Sequence, residues 1–299
     1  MSETVSTAAR EAEVKRHRKE NFKATLRVFF GRGILSKVCF VILVAFILVA
    51  VIGPFLLSDP YSQSVLQKLS DPSQEHFLGT DQLGRDLLTR VVWGARISMV
   101  TGLLSAFWAA LIGTALGLVA GYFQGIVGNI IMRITDALLS IPPLILTMVL
   151  SAVCGGSILS ISLIIAVSSV PGYVRMIYSQ VLSLRESDYV TASGLIGQNS
   201  FMILVKHLLP NCFATLIVMF TMSVGANVMI EAGLSYLGVG ITAPTPAWGT
   251  MISEGYMYLT ICPRLALIPG ICLMLLIISL SVVGDGLRDA LNPKLRGKL

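Results

Sequence analysis

The chain has 299 residues, of which 55% are hydrophobic and only 13% are charged, and its formal net charge is +6. Soluble domains have about 25% charged residues, so this composition excludes an ordinary water-soluble fold. The apolar residues gather in runs of about twenty, the length that a helix needs to cross a hydrocarbon core of about 30 Å. The sequence therefore predicts an all-α, polytopic membrane protein.

Six apolar runs predict six transmembrane helices. We place them at 38–57, 99–121, 137–154, 157–175, 213–236 and 265–284. The first run resembles the apolar part of a signal peptide, but it follows a long charged leader and lacks a small-residue cleavage site, so we interpret it as a retained span. In the second run, Gly113, Gly117 and Gly121 have a spacing typical of close helix packing. In the third, Pro142 and Pro143 predict a kink.

Basic residues predict the orientation, because loops next to the spans that are rich in Lys and Arg stay on the cytoplasmic side. Such residues are concentrated in the leader, 1–37, and again after span six, where the tail 293–299 follows. Both termini are therefore predicted to be cytoplasmic, with 58–98 outside the cell and 176–212 inside it. The leader lacks the interleaved aromatic residues of a nucleic-acid site, so we expect it to face anionic membrane lipid and expect no nucleic-acid partner.

The sequence lacks the common motifs for catalysis and metal binding. It has no GxxxxGK[ST] phosphate loop, no HExxH and no GxSxG, so we predict that the chain has no catalytic residue and binds no cofactor. If the protein uses ATP, another chain must bind it. His17, His76 and His207 lie in three separate regions and no CxxC occurs, so we predict no metal site. Cys154 and Cys262 lie near the predicted outer face, where a disulfide is an alternative to two free thiols.

The predicted outer segment contains the string HFLGTDQLGRDLLTRVVWGARIS at 76–98. Thr80 and Asp81 are residue types typical of a helix N-cap, and the spacing of Asp86 and Arg90 predicts an i,i+4 ion pair. The apolar residues that follow cluster on one side. We therefore predict an amphipathic helix that lies at the outer surface of the membrane.

The predicted cytoplasmic segment 176–212 has the pattern of two short helices bent around a glycine. Ser187 or Asp188 begins the first helix, Gly197 breaks it, and Pro210 ends a second, amphipathic stretch. Such an element either inserts into a groove of a partner protein or rests on lipid headgroups. The spacing alone leaves both alternatives open.

The string from Glu231 to Gly249 follows the outer end of span five, and its glycines and prolines prevent a continuous helix. Irregular backbone near membrane depth is tolerated where protein or water surrounds it, so we expect this string to face the pathway or a sister subunit. Glu231 is an acid within a span. It is either a functional residue of the pathway or a structural support for neighbouring backbone groups.

Several strings in the chain resemble one family, the permease subunits of ABC importers for dipeptides, oligopeptides and nickel, in particular their second, C-type permease. The segment 76–98 resembles the signature that these permeases carry before their second span, and the matching residues are 79–81, 84–86, Arg90, Gly94 and 96–98. ASGLIG at 192–197, followed by HLLPN at 207–211, resembles their EAA loop. The string at 231–249 resembles E-x-G-L-S-[FY]-L-G-x-G…W-G, and the string at 283–293 resembles their usual ending.

The resemblance implies the six-helix fold of a type I importer permease, with 99–292 as its core. It also implies that 176–212 docks as a coupling helix into the ATP-binding subunits, which favours partner docking over the lipid alternative. The residues implied in coupling are Asp188, Tyr189, Ala192, Ser193, Gly197, His207 and Pro210. The candidates for the outer face or the pathway are Asp81, Arg85, Asp86, Arg90, Glu231 and Trp248. Thr191 stands where the founding pattern has glutamate, so an acidic contact there is not carried over.

The resemblance further implies a transport role in the plasma membrane of a bacterium or archaeon. The partners that it implies are a homologous second permease, two ATP-binding subunits that hold ATP and Mg²⁺, and an extracytoplasmic substrate-binding protein. Peptides are the expected cargo, with nickel or a metal chelate as the alternative. A standalone channel or ion-coupled carrier is the alternative from another class of protein.

Overall fold

The structure is a computed structural model that describes residues 33–291. Most of the basic leader, with His17, and the whole tail 293–299 lie outside the described residues. Within residues 33–291 every regular element is a helix, which confirms the predicted all-α class. The elements are α1 (Ile34–Leu56), a 3₁₀ turn (Val65–Gln67), α2 (Leu87–Phe123), α3 (Gly125–Leu139), α4 (Pro143–Cys154), α5 (Ile158–Arg185), α6 (Asp188–Leu195), α7 (Ser200–Ile203), a π-helical turn (Leu204–Leu208), α8 (Leu209–Tyr236), α9 (Trp248–Tyr256) and α10 (Arg264–Leu291).

Five helical rods are long and apolar enough to cross a membrane, and a bent pair is a sixth if it is taken as one span. The rods are α1, α2, α5, α10 and the continuous stretch Ser200–Tyr236. The bent pair is α3 and α4, whose axes meet at 92°. The structure therefore confirms a polytopic protein with up to six spans.

The third predicted span, 137–154, differs from the helix that forms there. Its first residues belong to α3, and α4 has only 12 residues, which gives a length of about 18 Å. The predicted proline kink is confirmed and is larger than a bend within one helix. Proline restricts the residue before it to extended backbone, and Pro143 occupies the first turn of α4, so α3 cannot continue through this point.

The prediction of a separate amphipathic surface helix within 76–98 is wrong. Residues 76–86 form turns, and Leu87 begins α2, which continues for 37 residues or about 55 Å. That length exceeds the hydrocarbon core, so part of α2 lies outside the membrane. Its N-cap is Asp86, whose side chain accepts a hydrogen bond from the amide of Thr89 at 2.8 Å, rather than Thr80 or Asp81.

Helices α2 and α5 pack closely along the predicted glycine stripe. A Cβ atom added at Gly113 would lie 2.4 Å from Cβ of Tyr173, and one added at Gly117 would lie 2.7 Å from Cβ of Ile177. Both distances are far below van der Waals contact, so a larger residue would force the two helices apart. This confirms that the stripe serves helix packing.

Candidate functional site

The predicted cytoplasmic loop contains a helix and a sharp bend at a glycine. Helix α6 begins at Asp188 and ends at Leu195, and Gly197 follows with φ +81°. Asn199 then caps the next helix by accepting a hydrogen bond from the amide of Phe201 at 3.2 Å. Glycine adopts such a left-handed backbone without strain, whereas most other residue types do not, so the bend depends on the residue type at 197.

The predicted end of the second helix at Pro210 is wrong. The helix that starts at Ser200 continues to Tyr236, and Pro210 lies in the first turn of α8. Proline normally interrupts a helix because it lacks an amide donor. Here the π-helical turn Leu204–Leu208 directly precedes it and shifts the hydrogen-bond register. The Asn211 side chain also donates to the carbonyl of His207 at 2.6 Å, so the rod stays continuous.

The loop is anchored to the transmembrane helices by a buried apolar cluster. Val190 from α6 and Leu208 from the π-helical turn pack there with Val181 of α5. Two polar contacts close the bend: His207 Nε2 lies 3.1 Å from Oε1 of Gln198, and the side chains of Tyr189 and Asn211 are hydrogen-bonded at 3.3 Å. Two predicted coupling residues, Tyr189 and His207, therefore hold the shape of the loop.

The tip of the loop exposes large apolar side chains. Leu195 and Ile196 are each 85% exposed, and Phe201 is 69% exposed. The predicted coupling residues Asp188 and Ala192 are exposed on the same short helix, while Ser193 is partly buried. Exposed apolar side chains on a polar loop are suited to contact with a partner protein or with lipid. Sequence reasoning missed these three residues, although the apolar pair between Gly194 and Gly197 was a usable signal.

The predicted outer-face residues form a buried ion network instead of an exposed surface. Arg85 Nε donates to Oδ2 of Asp81 at 2.6 Å, and its Nη2 donates to Oε2 of Glu254 at 3.2 Å. Arg90 lies 3.4 Å from Asp81 and 3.5 Å from Glu254. Two arginines thus face two carboxylates, and the charges of the network balance. Because Asp81, Arg85 and Arg90 are buried, they are inaccessible to a substrate-binding protein in this structure.

The network ties distant parts of the outer region together. Arg90 also donates to the carbonyls of Pro60, at 3.4 Å, and Pro244, at 3.3 Å. The predicted ion pair between Asp86 and Arg90 is wrong, because Asp86 caps α2 and contacts Nδ1 of His76 at 2.9 Å. Sequence reasoning also missed Glu254. It follows Arg85 by 169 positions, and no local spacing relates the two residues.

Glu231 and Trp248, two of the candidates for the outer face or the pathway, make buried contacts at either end of the glycine-rich segment that follows α8. Glu231 is fully buried and accepts a hydrogen bond from Ser235 Oγ at 2.8 Å, and that same Oγ accepts from the amide of Ile241 at 3.0 Å. Trp248 is also fully buried, and its indole donates to the carbonyl of Val91 at 2.9 Å. Trp248 therefore packs in the core of this chain. The contacts of Glu231 favour the structural alternative.

Within residues 33–291 the cysteines form no disulfide, and the cysteines and histidines form no metal site. All five cysteines are free, with Cys154 exposed and Cys262 buried, so the disulfide alternative is not realised in this structure. No group of three or more His, Cys, Asp or Glu side chains in the described part of the chain is placed to hold a metal ion.

Comparison with known proteins places the chain among transport components. Residues 113–297 match the family described as binding-protein-dependent transport system inner membrane component. A dipeptide transport system permease protein of Alkalihalophilus pseudofirmus is 38% identical over 263 residues, which cover 88% of this chain and 86% of that protein. Glutathione transport system permease proteins of Shigella flexneri serotype 5b and Escherichia coli O157:H7 are 39% and 37% identical over 226 residues, which cover 76% of this chain and 75% of each relative.

These matches agree with the helical architecture. The rods described above make the chain a multi-pass protein of the plasma membrane, and its family is a transport component rather than an enzyme. The resemblance seen in the sequence is thereby confirmed. The chain belongs to the family of binding-protein-dependent transport system inner membrane components, the permeases of ABC importers.

Proposed function

We propose that this chain is one of the two permease subunits of an ATP-driven peptide importer, and that its loop 187–210 docks onto an ATP-binding subunit. The observation that carries the proposal is the exposed apolar tip formed by Leu195, Ile196 and Phe201. The tip projects from a loop whose other face is anchored in the buried cluster around Val190. A force applied to the tip is therefore passed to the membrane helices.

The two helices that flank the loop, α5 and α8, are hydrogen-bonded to each other and can therefore move as one unit. Three side-chain hydrogen bonds link α5 to α8: Ser169 to Asn227 at 2.9 Å, Tyr173 to Ser223 at 2.6 Å and Gln180 to Thr215 at 2.5 Å. Hydrogen bonds between helices resist separation where no water competes for the polar groups. Displacement of the loop would thus move α5 and α8 together and switch the access of the pathway as a rigid-body motion.

The partners follow from this role. A homologous second permease would complete the pathway, two ATP-binding subunits would hold ATP and Mg²⁺ and carry out hydrolysis, and an extracytoplasmic binding protein would deliver the cargo. Peptides are the proposed cargo, because the relatives are named for transport of dipeptides and of glutathione, which is itself a small peptide. Nickel or a metal chelate remains an alternative based on the family resemblance alone.

A charge at the apolar tip tests the docking role. Leu195→Glu should abolish co-purification of the ATP-binding subunits, because a desolvated carboxylate would face the apolar contact. The protein should still reach the membrane, because Leu195 is 85% exposed. The matched control is Leu66→Glu, at a site that is 98% exposed on the predicted outer side. Undiminished association of Leu195→Glu with the ATP-binding subunits would contradict the docking role and favour a loop that rests on lipid.

A further inference from the structure

An open apolar groove of about 630 Å³ lies between α1, α2, α8 and α10. Leu43 and Ala50 of α1, with Val224 and Val228 of α8, form its buried floor, and the more exposed Val100 of α2 lies at its side. Arg96 is the one charged residue among those described that line it. The groove is separate from the cytoplasmic loop and from the buried outer network.

The groove has a polar end and an apolar end. In the predicted topology α1 and α8 run outward and α2 runs inward, so Phe55 and Arg96 lie near the outer interface and Leu103 and Phe220 lie deeper. From Leu43 to Phe55 the groove follows α1 for about 18 Å, close to the thickness of one leaflet. A molecule that fills it has a polar head at the outer interface and an apolar tail that reaches about the middle of the bilayer.

The charge at the mouth selects the head group. Arg96 is exposed and forms no ion pair within residues 33–291, and its guanidinium lies 5.8 Å from the centre of the Trp93 ring. Tryptophan is typical of the membrane interface, which agrees with this depth. A guanidinium binds phosphate oxygens in a bidentate manner and keeps its charge at all physiological pH values. The complementary head is therefore a phosphate ester with a net negative charge, because a zwitterionic head adds a positive group that the guanidinium repels.

We propose that this groove binds one anionic phospholipid of the outer leaflet, with its phosphate on Arg96 and an acyl chain along α1, α2 and α8. Moving a chain from bulk lipid into an apolar groove gains little hydrophobic free energy, since both surroundings are apolar. The arginine therefore sets the preference between lipids, and the groove sets how long a lipid is retained. This site requires neither the cargo nor the ATP-binding partners of the proposed importer.

Competition between two lipids tests the site. The complex purified with its partner chains is incubated with equal amounts of phosphatidylglycerol and phosphatidylcholine that have the same acyl chains, and the retained lipids are counted by native mass spectrometry. The wild type should retain about fivefold more of the anionic lipid, the preference expected from one basic residue at the interface. Arg96→Gln should bring the ratio close to one, and Arg96→Lys should restore part of it.

Two further variants distinguish lipid binding in the groove from a nonspecific attraction of anionic lipid to positive charge. Lys68→Gln removes one positive charge from the same predicted side, outside the groove, and should leave the ratio unchanged. Val100→Phe fills the groove, keeps Arg96 and should lower the retention of both lipids. A wild-type ratio in Arg96→Gln, or wild-type retention in Val100→Phe, would overturn the proposal. Retention of no lipid by the wild type would also overturn it.

Discussion

Replacing Gly197 with valine tests whether the bend in the cytoplasmic loop is required for coupling. Gly197 has φ +81°, and a Cβ atom added there would meet nothing within 4 Å. The added side chain therefore clashes with no described residue, and its cost is the strain of a left-handed backbone, about 1 to 3 kcal/mol. Strain of this size lowers the population of the bent loop by about 5- to 150-fold, since each 1.4 kcal/mol is a factor of ten.

The assay measures ATP hydrolysis that is stimulated by the peptide-loaded binding protein, together with uptake, in vesicles that contain the complete importer. Gly197→Val should reach the membrane normally but lose most of both activities. Gly197→Asn is the matched control, because asparagine tolerates the left-handed region while it also adds a side chain. If Asn fails as severely as Val, crowding against the partner is the cause and the backbone argument is refuted. If Val retains wild-type activity, the bend is not required for coupling.

Three other predictions concern topology, stability and nucleotide binding. In a background without native cysteines, Ser73→Cys should react with an impermeant reagent from outside, and Leu195→Cys only after permeabilisation; the reverse pattern would overturn the orientation. Glu254→Gln should destabilise the purified protein by about 3–5 kcal/mol, because it removes one partner of a buried ion network, while Asp71→Asn, in an exposed pair with Arg264, should cost less than about 1 kcal/mol. Equal thermal shifts for these two variants would contradict the buried role. The purified chain alone should neither bind nor hydrolyse ATP in a filter-binding or phosphate-release assay, since it has no phosphate loop, and hydrolysis free of other subunits would refute the permease role.

The elements that the sequence predicted well have local causes. The spans follow from runs of apolar residues, because the hydrocarbon thickness sets their length. The bend at Gly197 follows from the conformational freedom of that single residue. The kink at Pro142 and Pro143 follows from a missing amide donor and a steric clash. In each case the physical cause lies within a few residues of the feature.

The elements that the sequence did not predict depend on distant partners or on the register of a helix. Arg85, in the turn before α2, and Arg90, within α2, both pair with Glu254 of α9, which is distant in the sequence. The local spacing of Asp86 and Arg90 therefore suggested a wrong partner for Arg90. Pro210 was predicted to end a helix because the π-helical turn that accommodates it has no recognisable residue pattern. Trp248 was named as a candidate for the outer face or the pathway because a sequence does not show which large residues become buried in its own fold.

The most direct test of the proposed import role is uptake of a labelled dipeptide into vesicles that contain this chain, its sister permease and the ATP-binding subunits. We expect accumulation that requires both ATP and the peptide-loaded binding protein, and that is lost in Leu195→Glu. Accumulation by this chain alone, driven by an ion gradient and unaffected by removal of ATP, would contradict the account and identify a standalone carrier.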